Sequence, residues 1–323
     1  MADSSKHPIV ALTGATGFIG RHLLRELPKH GYRLRVLLRR PSSVPLDCAS
    51  AVVGDLARPS NMAEALADAE AVIHSAGIAH AMSGVPEDDY RLLNTESTIA
   101  LARAAQRAGV RRFVFVSSIR AQCGPTAEAV QTEGLPAQPT DAYGRSKLAA
   151  EEGLSGLDID WVALRPVVVY GPGVKGNMAQ LMRLARSPFP LPVGGLTAQR
   201  SVLSVDNLVG AVAHVLATAR PLRRPLIVAD PQPLTIPDMI AAMRRGLGRR
   251  PGVVSVPAPV LRAACRIAGW GEAWERIAGR LVADAAALRS LGWSPTVASE
   301  AGLAALMRAE VNGLDAGVGP KSA

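Results

Sequence analysis

The chain has 323 residues, 48% hydrophobic but only 4% aromatic; this excludes a disordered chain and fits an Ala/Val/Leu/Ile core of helices on a parallel sheet. The net charge is +9, yet the basic residues are scattered singly or in pairs such as Arg111–Arg112, Arg223–Arg224 and Arg244–Arg245, without interleaved aromatics, which argues against a nucleic-acid platform. Cys48, Cys123 and Cys265 lie far apart, and no Cys-x-x-Cys or His-x-x-x-His occurs, so neither a disulfide framework nor a metal site is expected.

The first half alternates. Residues 8–14 (PIVALTG) predict a strand, 17–27 a helix, 32–40 (YRLRVLLRR) a second strand and 49–56 (ASAVVGDL) a third. A helix over 61–69, a strand over 71–77, a helix over 95–109 closed by Gly109 and a strand over 111–118 (RRFVFVSS) follow. A helix from Tyr143 to Leu154 and a strand over 159–166 complete the run. Strands alternating with helices imply right-handed crossovers and an α/β, doubly wound parallel sheet.

After Pro166 the regularity loosens, with Gly and Pro crowded into 167–177 and 187–196. A helix over 205–219, with Asp206 as its cap, and a strand over 224–231 are expected. Thr235 caps a helix that ends at Gly248. Residues 258–282 read as a pair of core helices rather than a membrane-surface segment. The chain thus divides into a regular half over residues 1–165 and a looser half over 166–323. No signal pattern opens the chain and no apolar run reaches membrane-spanning length, so a cytoplasmic protein with no integral span is expected.

LTGATGFIG places Gly14, Gly17 and Gly20 at three-residue intervals between the first strand and the first helix. The first allows a tight turn, the second lets backbone N–H groups approach a pyrophosphate, and the third permits close helix–strand packing. Thr16, Phe18 and Ile19 lie within the same turn. The end of the second strand, where NAD binders usually carry an acid, reads Arg39–Arg40. Arginines attract a 2′-phosphate, so NADP(H) is favoured and NAD(H) stays compatible. Asp55, followed by Leu56, is placed to meet the adenine. After the fourth strand, small residues including Ala76 let the backbone pass under a cofactor, and His74 reads as structural.

Together, TGATGFIG, GDL, the serines after the fifth strand, YGRSK and LRPVVVYGPG resemble the extended short-chain dehydrogenase/reductases over nearly the whole chain. FVFVSSIRAQCGP, GPGVKGN and RSVLSVDNL are similar to the branch of bacterial nucleotide-sugar 4-epimerases and 4-ketoreductases used in surface-polysaccharide synthesis. The resemblance implies a Rossmann-type dinucleotide-binding domain over residues 1–165, with parts of 196–230 returning to it, and a smaller, intertwined C-terminal α/β substrate domain over 166–323. It implies that Tyr143 is the catalytic acid/base, Lys147 its partner and holder of the nicotinamide ribose, and Ser118, rather than Ser117, the hydroxyl on the reacting oxygen. It also implies that Asn177 and Arg200 bind the substrate diphosphate, with Lys175 adding charge. Positions i and i+4 share a helix face, and a nearby ammonium is expected to lower the phenol pKa.

Two departures stand out. Ser97 replaces the usual Gly of Asn-x-x-Gly-Thr, so close packing there is expected to differ. Cys123 stands where a Tyr is common, which alters the sugar pocket. Three functions follow from these residues: a 4-ketoreductase on a nucleotide-linked, UDP-type sugar, an NAD-dependent UDP-hexose 4-epimerase, and a non-catalytic cofactor-binding scaffold. The partner implied is a nucleotide sugar, and homodimerisation through the helix after Tyr143 is common in the resembled family.

Overall fold

The structure is a computed structural model that describes residues 7–41, 48–78, 84–267 and 278–316. Its centre is a seven-stranded sheet. In chain order the strands are β1 (Ile9–Thr13), β2 (Arg33–Leu38), β3 (Ala49–Val52), β4 (Ala69–His74), β5 (Arg112–Val116) and β6 (Asp160–Pro166). Past two short strands, β7 (Val168–Tyr170) and β8 (Gln199–Arg200), come β9 (Val202–Ser204) and the seventh member of the sheet, β10 (Arg224–Val228). The spatial order is β10-β6-β5-β4-β1-β2-β3, and every pairing is parallel. Chain order reverses at β1, with β2–β3 on one side and β4–β6 on the other. The carboxyl ends around that switch point form the crevice where doubly wound sheets bind ligands.

Central strands are apolar on both faces, as helix-covered strands must be. Phe113, Val114 and Phe115 are fully buried, and so are Val162, Ala163 and Leu164. One core lies under the helices Phe18–Glu26 and Val205–Ala217, and the other under Ser97–Arg107 and Ala142–Ser155. The chain recrosses its midpoint: Val205–Ala217 packs on the first-half sheet and β10 extends it.

A third core, with Tyr170, Met178, Met182, Met239, Met243, Leu303 and Met307, gathers the helices Gly176–Arg186, Ile236–Gly246 and Ser299–Ala316. It forms the smaller C-terminal unit. β7 pairs with β9, and β8 pairs antiparallel with β11 (Leu234–Thr235).

Several local expectations shift. The helix expected over 61–69 is one turn, Met62–Ala65, flanked by Asn61 and Asp68 in positive φ. The cap of Val205–Ala217 is Ser204, whose hydroxyl accepts from the Asp206 N–H at 3.2 Å; Asp206 sits in the first turn. Thr235 does cap its helix, in a reciprocal box with Asp238.

Candidate active site

The glycine turn links β1 to the helix Phe18–Glu26. Gly14 has φ +73°, and a Cβ there would lie 2.6 Å from the backbone of Ser75 and Ala76. A Cβ on Gly20 would lie 2.0 Å from the Gly14 carbonyl oxygen. Both positions therefore need glycine. Gly17 is different: its added Cβ meets only the Gly14 oxygen, at 3.2 Å. Gly17 caps the helix with no side-chain acceptor, and the first turn carries no acid. Uncapped N–H groups on an open approach fit the pyrophosphate of a dinucleotide.

Around this turn, Arg39 and Arg40 are exposed just beyond the end of β2. Asp55 is exposed, and one carboxylate oxygen accepts from the Ala57 N–H at 3.0 Å. Under the turn, His74 is fully buried, with its Nδ1 2.7 Å from Thr13 Oγ1 and its Nε2 3.0 Å from Thr98 Oγ1. Thr98 donates its proton to the Asn94 carbonyl, so it accepts from Nε2–H, and Nδ1 then accepts from Thr13. Thr13 in turn receives the Ala76 N–H at 3.3 Å. Burial and the Lys147 ammonium push the His74 pKa down to about 3. It is a neutral strut that fixes the Ala76 backbone.

The serines after β5 diverge. Ser118 caps a short turn (Ile119–Ala121) and hydrogen-bonds the Tyr143 phenol. Ser117 donates to Glu151 Oε1 at 2.5 Å. Glu151 is buried and held by Arg165, whose Nε lies 3.1 Å from both carboxylate oxygens. Arg165 also bonds Gln122. Asp141 caps the helix Ala142–Ser155 through the Gly144 N–H at 2.6 Å and pairs with Arg120.

Lys147 is buried and donates to the Val116 carbonyl at 3.0 Å. Its Nζ lies 4.5 Å from the Phe115 ring centroid and 6.0 Å from that of Tyr143. Burial lowers its pKa to about 8. The expected lowering of the phenol by Lys147 is not seen. Burial pushes Tyr143 up to about 12, against the opposing hydrogen bond from Ser118. The ammonium is occupied by Val116 and lies off the phenol, so desolvation dominates.

Sequence reasoning missed Asn94. Its side chain is fully buried, accepts from the Ile78 N–H at 2.8 Å, and donates to the Ile78 carbonyl at 3.2 Å and Ser146 Oγ at 3.1 Å. It ties the loop after β4 to the helix of Tyr143 and Lys147. It lies in a π-helical turn (Arg91–Glu96) that ends at Ser97. The Ser97 hydroxyl and N–H both donate to the Leu92 carbonyl, the hydroxyl at 2.9 Å. Close packing against the helix of Tyr143 and Lys147 is made from the other side, where a Cβ on Gly153 would lie 2.2 Å from Ile99 Cδ1.

Asn177 and Arg200 share a cavity of about 400 Å³ in the C-terminal unit, with Tyr143 outside its lining. Asn177 is in the first turn of Gly176–Arg186, a helix that begins after Lys175 with no side-chain cap and no acid in its first turn. Arg200 donates to the Pro125 carbonyl at 3.0 Å and to Gly279, so the loop following Ser118 reaches the cavity wall. Burial and the nearby Arg120 guanidinium lower the Arg200 pKa. Cys123, buried in the same loop, lies near Arg120, Arg165 and Arg200, and burial pushes its thiol up.

The NAD-dependent epimerase/dehydratase family model matches residues 10–228. The chain is 32% identical to UDP-glucose 4-epimerase of Vibrio cholerae, covering 88% of this chain and 90% of the relative. It is 30% identical to ceramide reductase of Caulobacter vibrioides, covering 90% and 87%. Among solved structures, MoeE5 in complex with UDP-glucose and NAD superposes with a TM-score of 0.73 at 27% identity, covering 94% of this chain and 99% of that one. This chain belongs to the NAD-dependent epimerase/dehydratase family, extended short-chain dehydrogenase/reductase enzymes that use a nicotinamide cofactor.

Proposed function

We propose that the protein is an NADP(H)-favouring oxidoreductase that reduces the 4-keto group of a UDP-linked sugar in surface-polysaccharide synthesis. The observation that carries it is Tyr143, held protonated by burial and hydrogen-bonded to Ser118 at the carboxyl end of β5. A phenol whose pKa lies well above neutral keeps its proton and can donate it, which is what a carbonyl oxygen needs as hydride arrives. The bound cofactor supplies that hydride. Ser118 orients the oxygen, and Lys147 holds the ribose end. Arg39 and Arg40 support a 2′-phosphate. Arg200 and the uncapped start of Gly176–Arg186 support a diphosphate.

The same residues serve a 4-epimerase that removes and returns hydride with a retained NAD. Protein purified without cofactor that consumes NADPH stoichiometrically with a UDP-4-keto-6-deoxy sugar supports the reductase. Protein that retains NAD and interconverts UDP-glucose and UDP-galactose overturns it.

A second reading has one observation behind it. Of the cavity's lining residues, Val168, Met178, Leu181, Leu184, Val193, Val202, Ile236, Met239 and Ile240 are apolar. That suits a ketone on an apolar chain, and a ceramide reductase is among the relatives. Turnover of a long-chain ketone with none of a UDP-sugar would select it.

A further inference from the structure

The C-terminal unit has an unusual charge pattern. Residues 161–205 and 239–271 contain no aspartate or glutamate, but they hold Arg165, Lys175, Arg183, Arg186 and Arg200 in the first stretch. The second carries Arg244, Arg245, Arg249, Arg250, Arg262 and Arg266. Some of these are used internally. The buried Arg244 gathers the carbonyls of Ala185, Ser187, Phe189, Pro251 and Gly252 at 2.8–3.2 Å. That one guanidinium pins the end of the helix Gly176–Arg186, the loop at Phe189 and the strip after Arg250 against one another.

The two strips are also paired along their backbones. Leu191 N–H donates to Gly252, Val254 N–H to Leu191 and Gly194 N–H to Val254, at 2.8–2.9 Å. A Cβ on Gly195 would lie 2.1 Å from the Val256 carbonyl oxygen, so the helix Ala258–Ile267 begins on the same face.

This face exposes large apolar side chains. Phe189 is 73% exposed, Val260 57%, Val254 49% and Leu184 48%. Ile267, at the end of the helix, is exposed as well. The arginines Arg183, Arg249, Arg250 and Arg266 around them are exposed too. Leu184 also lines the cavity, so the patch is continuous with the cavity rim. Of the helix that the sequence pattern reads as core, Pro259, Val260, Arg262, Ala263, Arg266 and Ile267 are exposed, which corrects that reading; 268–277 lie outside the described residues.

We infer that this face, built from the strips around Phe189 and Val254 and the helix Ala258–Ile267, docks on an anionic lipid surface. Exposed aliphatic and phenyl groups among arginines match an interface that accepts apolar side chains beneath a negative headgroup layer. A nucleic acid offers the charge complement but uses stacked aromatics, and Phe189 is the single aromatic among the described residues of the patch. A second copy of the chain would bring like charges together across an isologous contact. No helix among the described residues is long and apolar enough to cross a membrane, so the association is peripheral.

The test is sedimentation of the full chain with vesicles. Phosphatidylcholine vesicles carrying about 30 mol% phosphatidylglycerol should retain roughly tenfold more protein than phosphatidylcholine alone, and added salt should reverse this. The double variant Arg249→Glu/Arg250→Glu and the variant Phe189→Ser should each lower binding severalfold with melting temperatures intact. Three results would overturn the proposal. The first is no vesicle binding. The second is binding to heparin or duplex DNA as strong as to vesicles and indifferent to Phe189→Ser. The third is a dimer in solution that the same substitutions dissociate.

Discussion

The ammonium of Lys147 stands 6.0 Å from the ring centroid of Tyr143 and donates a hydrogen bond to the carbonyl of Val116, 3.0 Å away. The pair at i and i+4 shares a site without sharing a hydrogen bond. Burial holds Lys147 near 8 and Tyr143 near 12, so both are protonated at neutral pH and the lysine titrates first. Reduction needs both protons in place. Its kcat/KM should therefore be level below about pH 7 and fall as pH rises through about 8, well before the phenol ionises. Lys147→Met should remove that fall along with most of the activity. A profile that rises through pH 8 would mean that the phenolate is the working form.

Tyr143→Phe should lower kcat by about 10²–10⁴-fold, the usual worth of a positioned acid. Fold and cofactor binding should survive, because phenylalanine keeps the ring and gives up only the hydrogen bond to Ser118. Single-turnover oxidation of NADPH reads the loss directly.

The two neighbouring serines should separate cleanly. Ser118→Ala removes a donor from the reacting oxygen and should cost about 10²–10³ in kcat with little change in melting temperature. Ser117→Ala takes a hydrogen bond from the buried Glu151. A charge-linked bond of that kind is worth about 1.5–3 kcal/mol, so the melting temperature should fall while kcat changes little. The reverse assignment of losses would exchange their roles.

Replacing Arg39 and Arg40 together by Ala should raise KM for NADPH about tenfold or more and leave KM for NADH nearly unchanged. Both side chains are exposed past the end of β2, so stability should not move. Equal effects on the two cofactors would remove the 2′-phosphate assignment.

Asp230 is buried among Tyr170, Asn207 and the Ser204 N–H, and burial raises its pKa to about 6. A carboxyl raised above its unfolded value binds protons more tightly when folded. Its contribution therefore favours the folded state as pH falls from about 6 to 4, and this gain is lost as pH rises again. Asp230→Asn should flatten that part of the Tm-against-pH curve. It should also lower Tm at every pH, since the amide opposes two donors. A difference curve without slope between pH 4 and 6 would contradict it.

The sheet was legible because apolar runs such as Phe113–Val114–Phe115 and Val162–Ala163–Leu164 alternate with helical spacing, and buried parallel strands demand that composition. The glycine turn was legible because sterics force Gly14 and Gly20. Asn94 was not: its role depends on a π-helical turn, which leaves no periodic trace, and on Ser146, far along the chain. Ser204 took the cap expected of Asp206 because both types cap well and backbone register decides between them. The raised phenol of Tyr143 also escaped prediction. Spacing puts Lys147 on the same face, but only the fold shows that the ammonium is spent on Val116.

β10 joins the sheet only after a long excursion through residues 167–223, pairing with β6 from residue 224 onward. During synthesis the glycine turn and the Tyr143 helix emerge early, yet the edge of β6 stays open until Arg224–Val228 has left the ribosome. An open edge is a template for pairing with other chains. The nascent first half is therefore most prone to misassociate while residues 167–223 are being made. A fragment cut at residue 165 would keep that edge permanently.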